Sequence, residues 1–119
     1  MTVKHMDDIE GKVLSSDELK GVTKWIALSP NDGWSGWVMR VLEVKPGGYT
    51  PFHTHTWPHI NYILEGSGIL TIDGVEYPIR QGSVSHVDGT KKHNFRNNTD
   101  RPLRFICIVP QEGDTDYLS

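Results

Sequence analysis

Histidine side chains are concentrated in one short stretch of the sequence, where three of the six occur in an H-x-H-x-x-x-H spacing. These are His53, His55 and His59, and His93 follows further along the chain. Neutral imidazole is the commonest protein ligand for divalent transition metals. Alternate residues of a strand point to the same side, so His53 and His55 can converge on one ion. A bend at Pro58 would return His59 to the same point, and His93 would complete the set from a separate strand.

The predicted ligand set consists of nitrogen atoms alone, which is compatible with manganese, iron, nickel, copper or zinc. If the ion is octahedral, four protein ligands leave two positions open for water, a bidentate substrate, or a substrate together with dioxygen. The competing interpretation is that exposed histidines cluster by accident, which is the better explanation for a lone histidine. Three histidines in this spacing, around a proline, favour a metal site.

Short strands separated by turn signals must position these histidines. From Val22 onward, runs of apolar and β-branched residues alternate with Gly, Pro, Asn and Asp. The predicted strands cover residues 22–28, 37–44, 59–66, 68–72, 75–79, 83–87, 93–96 and 102–109. Asp73-Gly74 is the strongest hairpin signal, and residues 45–48 are predicted to form a turn. No helix of ordinary length is indicated, so the expected class is all-β, a sandwich or barrel.

A chain of 119 residues is long enough for one domain with a single core. Within it we expect an N-terminal arm at residues 1–21 and a β-barrel domain at residues 22–110. Residues 111–119 form an acidic, polar tail that is expected to fray. There is no internal repeat and no low-complexity linker, so a division into two domains is not predicted.

The composition argues against several classes of partner. A formal net charge of −3, with acidic and basic residues mixed, gives no electrostatic basis for binding nucleic acid or an anionic membrane. The N-terminus reaches acidic residues before any apolar run, unlike a secretory signal, and no apolar run is long enough to span a bilayer. The one cysteine cannot form an internal disulfide, which fits a reducing compartment. We therefore expect a cytoplasmic protein with small-molecule partners.

Two stretches of the sequence resemble the two motifs of the cupin superfamily. The first motif, G-x5-H-x-H-x(3,4)-E-x6-G, is matched at the expected spacing by Gly47, His53, His55 and Gly66, with His59 where the motif has glutamate. The second motif, G-x5-P-x-G-x2-H-x3-N, is matched by Gly82, His93 and Asn97, while Asp88 and Thr90 replace its proline and glycine. The likeness is closest to the small single-domain cupins that bind manganese through four histidines.

The resemblance implies a jelly-roll barrel, or double-stranded β-helix, over most of the chain. It also implies one divalent metal, manganese by preference, held by His53, His55, His59 and His93. Histidine in place of glutamate leaves the charge of the ion uncompensated, so the site would attract anionic or enediolate-like ligands and lower the pKa of bound water. Exposed strand edges and the N-terminal arm can pair between subunits, so we expect a homodimer.

Five further residues are candidates to line the cavity of such a barrel. Arg40 lies among apolar strand residues, which is costly unless it is paired or binds an anion in a wet cavity. Asn61 shares a strand face with the proposed ligand two residues before it, although a backbone partner would explain it equally well. Trp57 can line or gate the pocket. For Phe95 and Cys107 we favour core packing, although a thiol near the metal would be exposed to oxidation.

Three functions are consistent with this set of residues. The leading hypothesis is a metal-dependent enzyme that oxidises a C–C or C=C bond of a small molecule with dioxygen. The metal would carry the chemistry, because no side chain stands out as an independent nucleophile. A metal-assisted isomerase or lyase would use the same site on other substrates. A non-catalytic binding or sensing module would use the metal as a structural element or as an anchor for its ligand. The fold hosts many chemistries, so the resemblance does not select among them.

Overall fold

Nine β-strands supply most of the regular structure in the computed structural model, which describes residues 1–119. They are β1 (Lys12–Val13), β2 (Lys20–Leu28), β3 (Trp37–Tyr49), β4 (His59–Glu65), β5 (Ser67–Ile72), β6 (Val75–Arg80), β7 (Val84–Val87), β8 (His93–Arg96) and β9 (Leu103–Pro110). Short 3₁₀ helices occupy Met6–Asp8, Pro30–Asp32, Gln111–Gly113 and Asp116–Leu118. The predicted all-β class is confirmed. No helix of this chain has the length and apolar character needed to cross a membrane.

The strands form one antiparallel sheet that curls into a jelly-roll barrel. Its main path runs β6-β5-β8-β3-β9-β4-β7, while β2 pairs with β3 and β1 pairs with β2. β3 joins the parts of the sheet, because it pairs with β2 and β9 along its length and with β8 at Tyr49. The β5–β6 hairpin turns at Asp73-Gly74, where both residues have positive φ, as the sequence predicted for this dipeptide.

Successive side chains along each strand point alternately into the barrel and out of it. In β9 every second residue is buried, and in β4 His59, Asn61 and Ile63 face inward while Ile60 and Tyr62 face outward. The buried apolar cluster consists of Val22, Val38, Leu42, Val44, Ile63, Leu70, Ile79, Val87, Phe95, Leu103, Phe105, Cys107 and Val109. The polar residues of β4 therefore enter an interior that is otherwise largely apolar.

Residues 45–48 do not form the predicted turn, because β3 continues through them to Tyr49. Their backbone has partners on both sides: Lys20 pairs with Tyr49, and the Asn97 N–H donates to the Gly48 carbonyl at 2.9 Å. An added Cβ at Gly48 would lie 2.5 Å from the Lys20 carbonyl oxygen, so only glycine allows this approach. Long-range pairing therefore outweighs the local turn preference of the Lys-Pro-Gly-Gly sequence.

The C-terminal tail packs against the barrel, so the expectation that it frays is wrong. Asp114 is 7% exposed, accepts a hydrogen bond from Lys24 Nζ at 2.7 Å, and lies 3.5 Å from Arg40 Nη1. Lys24 also contacts Asp116 at 2.7 Å. Buried cations require nearby anions, and the tail supplies them.

The N-terminal arm also contacts the barrel. Its strand β1 pairs with β2, and Leu14 and Leu19 pack against the buried cluster. Both ends of the chain therefore add contacts to the barrel, while the boundaries at residues 21 and 110 stay predictions.

Replacing Asp114 with asparagine tests the contact between tail and barrel. We expect Asp114→Asn to lower the free energy of unfolding by about 3 kcal/mol, because two buried cations lose their shared carboxylate. Urea denaturation of variant and wild type measures the change. Asp116→Asn is the matched control, since its side chain is 37% exposed and a loss of at most about 1 kcal/mol is expected. Equal losses in the two variants would contradict the buried contact.

Candidate metal centre

The segment between β3 and β4, residues 50–58, carries two of the histidines without being a regular strand. His53 forms an isolated antiparallel bridge with His93, with reciprocal N–H···O distances of 3.3 and 3.2 Å. The His55 N–H donates to the Gly89 carbonyl at 2.7 Å. The expectation that a strand aligns His53 and His55 is therefore wrong. Two separate backbone contacts, to β8 and to the loop before it, hold these residues in place.

Gly89 allows that loop to come close to the histidine segment. Its φ is +89°, and an added Cβ would lie 2.0 Å from the Trp57 carbonyl oxygen and 2.6 Å from His55 Nδ1. Only glycine fits such a position without moving the backbone. The cupin motif has its glycine one position later, at Thr90, so the motif comparison passed over Gly89. The Asp88-Gly89 pair, a common turn signal, was the available sign.

The imidazole rings of His53, His55 and His93 converge. One ring nitrogen of each lies within 4.8 Å of the other two, a spacing that could hold a metal ion. His59 adjoins this group through His93, because their Nε2 atoms are 3.0 Å apart. His59 and His93 are buried, His55 is half-buried and His53 is exposed. The structure thus brings the four predicted ligand side chains together, three as one set and the fourth beside it.

Hydrogen bonds at Nδ1 set the protonation of three of these rings. The acceptors are the Trp57 carbonyl for His55 at 2.8 Å, the Lys91 carbonyl for His93 at 2.7 Å, and the Asn61 side-chain oxygen for His59 at 3.0 Å. Carbonyl and amide oxygens only accept, so each Nδ1 carries the proton and donates it. In the neutral ring Nε2 is then left with a free lone pair, which is the form that binds a metal.

The distance between the Nε2 atoms of His59 and His93 indicates whether a metal fits this site. Two free lone pairs at 3.0 Å repel each other unless a cation neutralises them, and burial disfavours a proton there. Two nitrogens that bind one divalent ion at right angles, each about 2.1 Å away, are about 3.0 Å apart. The observed separation is that of an adjacent ligand pair, so the donor set fits a divalent transition metal.

Burial keeps the site histidines neutral near pH 7. Loss of hydration lowers the pKa of His55 and the pKa of His59 from 6.5 to about 4. The same cause lowers the pKa of His53 and of His93, with smaller contributions from neighbouring histidines. Metal ligands must be deprotonated, so these rings can bind an ion at neutral pH without first losing a proton.

The histidine cluster opens on a cavity of about 250 Å³ inside the barrel. Trp57 stacks on His55 at its edge, with ring centroids 4.7 Å apart and planes 8° from parallel. Deeper in the barrel, Phe95 stacks on Phe105 with centroids 4.1 Å apart. Leu14, Leu19, Val22 and Leu42 add further apolar wall. A cavity of this size, apolar with a few polar groups, suits a small-molecule ligand.

The structure places four of the five predicted pocket residues on the cavity wall, namely Arg40, Trp57, Phe95 and Cys107. Asn61 is not among them, which corrects the expectation that it lines the pocket. It is 1% exposed, and its side-chain oxygen accepts hydrogen bonds from His59 Nδ1 and Ser85 Oγ, each at 3.0 Å. Asn61 therefore orients the His59 ring by accepting the hydrogen bond from Nδ1, and it is buried in the barrel interior away from the cavity.

Sequence reasoning missed several residues that support this site. Lys24 lines the cavity, and Asp114 in the C-terminal tail accepts a hydrogen bond from the Lys24 ammonium group. Lys24 carried a signal, because it is a charged residue on the inward face of a strand that also buries Val22. No sequence signal marked Asp114, Ser85 or the carbonyl groups that accept from the histidines. Their roles depend on contacts with the folded site.

Comparison with protein families agrees with this geometry. Residues 40–109, more than half of the chain, match the Cupin domain family (Cupin_2). The chain belongs to the cupins. The matched range contains all four proposed ligands, and the predicted resemblance to a small single-domain cupin is confirmed.

Relatives of this cupin are named for different reactions. The chain is 36% identical over 97 residues to the dimethylsulfoniopropionate lyase DddW of Ruegeria pomeroyi, covering 75% of this chain and 61% of that protein. It is 29% identical over 113 residues to the 1-methylthio-D-xylulose 5-phosphate methylsulfurylase of Rhodospirillum rubrum, covering 95% of this chain and 71% of that protein. The polyketide cyclase RemF of Streptomyces resistomycificus superposes with a TM-score of 0.85 at 28% identity, covering 92% of this chain and 79% of RemF. This cupin thus spans less than two thirds of the lyase.

The lowered histidine pKa values predict that the metal-free cupin loses stability as the pH falls from 6.5 towards 4. In this window histidines of the unfolded chain bind protons that the folded site does not, so acid favours unfolding, and the effect disappears above pH 6.5. Urea denaturation at a series of pH values, with chelator present, measures the slope. His59→Gln should give a shallower slope than the wild type. His5→Gln, which removes a histidine whose side chain is 74% exposed, is the matched control. Identical slopes for wild type and His59→Gln would contradict the explanation.

Proposed function

We propose that this cupin is a metal-dependent enzyme acting on a small molecule, with His53, His55, His59 and His93 binding one divalent transition metal. The observation that carries the proposal is the pair of Nε2 atoms on the buried residues His59 and His93, 3.0 Å apart, on rings whose Nδ1 atoms face oxygen acceptors. The grouping of His53, His55 and His93 supports a metal by itself. His59 supplies a fourth nitrogen because Asn61 holds its ring in the required tautomer.

The side chains around the site bind, orient and shield the reacting molecule. A bound divalent ion would supply Lewis acidity, which polarises a substrate oxygen and lowers the pKa of water. Four neutral imidazoles contribute no negative charge to offset the ion, so anionic ligands are favoured. The rings of Trp57 and Phe95 form apolar wall beside the histidines. Exclusion of water by that wall strengthens every electrostatic interaction with the substrate.

Non-oxidative chemistry has more support than oxygenation. The three relatives described above are named as a lyase, a methylsulfurylase and a cyclase. Cleavage or rearrangement next to a polarised carbonyl needs a Lewis acid and no dioxygen. We therefore rank a metal-assisted lyase or isomerase ahead of the dioxygen-using enzyme that sequence reasoning favoured. Manganese stays a prediction, since iron, nickel, copper and zinc accept the same nitrogen ligands.

We also propose that a second copy of the chain covers the outer face of β4 and β7. Four large apolar side chains are exposed there: Ile60, Tyr62, Leu64 and Val84. An apolar sheet face of this kind is typical of an interaction surface, and a two-fold homodimer would bury it against itself. Light scattering of the purified protein tests the homodimer, and a monomer mass would rule it out.

Metal analysis tests the proposed ligands. Protein purified without nickel resin and loaded with manganese should retain one ion per chain after gel filtration. His55→Ala and His93→Ala should each lower metal affinity by more than about 100-fold, because even an outer partner of a ligand is worth about 10- to 100-fold. His59→Ala distinguishes four ligands from three, and Asn61→Leu should weaken binding by about 10-fold through the orientation of His59.

His5→Ala is the matched control for these variants. His5 lies in the N-terminal arm with its side chain 74% exposed and does not line the cavity, so its loss should leave metal affinity unchanged. Unchanged affinity in both His55→Ala and His93→Ala would overturn the metal site. Unchanged affinity in His59→Ala alone would reduce the site to three histidines.

Oxygen dependence separates the candidate reactions. A lyase or isomerase should turn over its substrate at the same rate under nitrogen as in air, with His93→Ala as the inactive control. A panel of small hydroxy, keto and sulfonium carboxylic acids, followed by mass spectrometry and an oxygen electrode, makes the measurement. Dioxygen consumed in proportion to product would establish the oxygenase alternative. Binding without turnover of any panel member would favour the non-catalytic binding module.

A further inference from the structure

The charged residues that line the cavity are both cations. Lys24 and Arg40 contribute to its wall, and no aspartate or glutamate does. Lys24 is well compensated, because its ammonium group contacts Asp114 and Asp116 at 2.7 Å each. Those carboxylates belong to the tail and lie outside the cavity lining. The cavity lining therefore contains two cationic side chains and no carboxylate.

Arg40 is the cation whose hydrogen bonding is incomplete. The oxygen of Asp114 that receives the Lys24 hydrogen bond at 2.7 Å is 3.5 Å from Arg40 Nη1, at the limit of hydrogen bonding. Arg40 Nη2 contacts the Sγ atom of Cys107 at 2.7 Å, and Nε is buried without any partner. Only 17% of the Arg40 side chain is exposed. The guanidinium group thus shares its one carboxylate with Lys24 and has incomplete hydrogen bonding, which is costly unless a ligand adds acceptors.

The position of Arg40 in the sheet directs it to the same interior as the histidines. Arg40 of β3 is the register partner of Cys107 on β9, and Cys107 pairs on its other side with Asn61 of β4. Asn61 is the residue that orients His59. Arg40 thus stands in the transverse row of inward-facing residues that supports the metal centre, with its guanidinium on the wall of the shared cavity.

We propose that Arg40 binds a carboxylate group of the cavity's ligand, so that the substrate of this cupin is a small organic acid. The forked donors of a guanidinium match a carboxylate in charge and geometry. Three cations, Lys12, Lys24 and Arg40, share the two carboxylates of Asp114 and Asp116, so a monoanion would balance the charge of this network. The cavity of about 250 Å³ limits the ligand to a small one. The assignment deepens the proposed function and rests on it for the metal, while the Arg40 site itself depends only on the cavity wall.

Two probes that differ by one charge test this assignment. Succinamate carries one carboxylate and one amide, whereas succinamide is neutral and of nearly equal size. We expect the manganese-loaded protein to bind succinamate at least 10-fold more tightly than succinamide in isothermal titration calorimetry. Arg40→Gln should abolish most of that preference, and Arg40→Lys, which keeps the charge but loses the fork, should retain part of it.

Arg104→Gln is the matched control. Arg104 also lies on a barrel strand, but it packs on the Trp25 ring and pairs with Glu43 away from the cavity. It should keep the full preference for succinamate. Metal content of every variant is measured on the same samples, with thermal melting to confirm folding.

The outcomes separate this inference from the proposed function. If Arg40→Gln retains the preference, or the wild type shows none, the carboxylate site is overturned while metal stoichiometry remains as evidence for the proposed function. If the wild type fails to hold a metal, the proposed function is overturned, and the same titrations on metal-free protein still decide the role of Arg40. Tighter binding of inorganic phosphate than of succinamate would overturn the assignment to a carboxylate.

Discussion

Unprotonated imidazole nitrogens that face one another in a poorly hydrated space are the constraint on which this structure depends. The Nδ1 protons of His55, His59 and His93 are committed to fixed oxygen acceptors, so the Nε2 lone pairs are left to converge. Burial opposes their protonation, and repulsion opposes their contact without a cation. A divalent cation at the centre would satisfy these lone pairs, which is the basis for the proposed metal site.

The distribution of charge around the cavity follows from the same arrangement. The carboxylates that neutralise buried cations are placed in the C-terminal tail, outside the lining, so the interior itself stays free of anions. Histidine in the position where the cupin motif has glutamate removes one more negative charge from the centre. Under the proposed four-histidine ligation a metal would keep its full charge, and Arg40 adds another positive group on the same wall. Both features favour an anionic substrate and a reaction in which negative charge develops near the metal.

Membership of the cupins explains the barrel and the spacing of the ligands, but it leaves the reaction open, because one fold supports many chemistries. The features on which the proposals rest lie in and behind the cavity wall: the fourth histidine, the orientation of that ring by Asn61, and the contact of Arg40 with Cys107. The walls formed by Trp57 and Phe95 limit the size of the ligand and its access to water. Function in this cupin therefore depends on a few side chains that the barrel holds in fixed register.

Local pattern in the sequence was sufficient for the strand class, the Asp73-Gly74 hairpin and the inward face of β4, because alternation and turn chemistry act over a few residues. The spacing of the histidines was likewise sufficient to nominate the ligands. Other features depended on residues far apart in the chain. β3 runs through a Lys-Pro-Gly-Gly sequence because Lys20 and Asn97 pair with it, and Gly89 is required only because Trp57 lies against it. The tail packs on the barrel because Asp114 pairs with the buried cations Lys24 and Arg40. Asn61 supports His59 through a hydrogen bond and does not face the cavity. Such contacts depend on the closed barrel, since hydrogen-bond partners and burial exist only once distant strands meet.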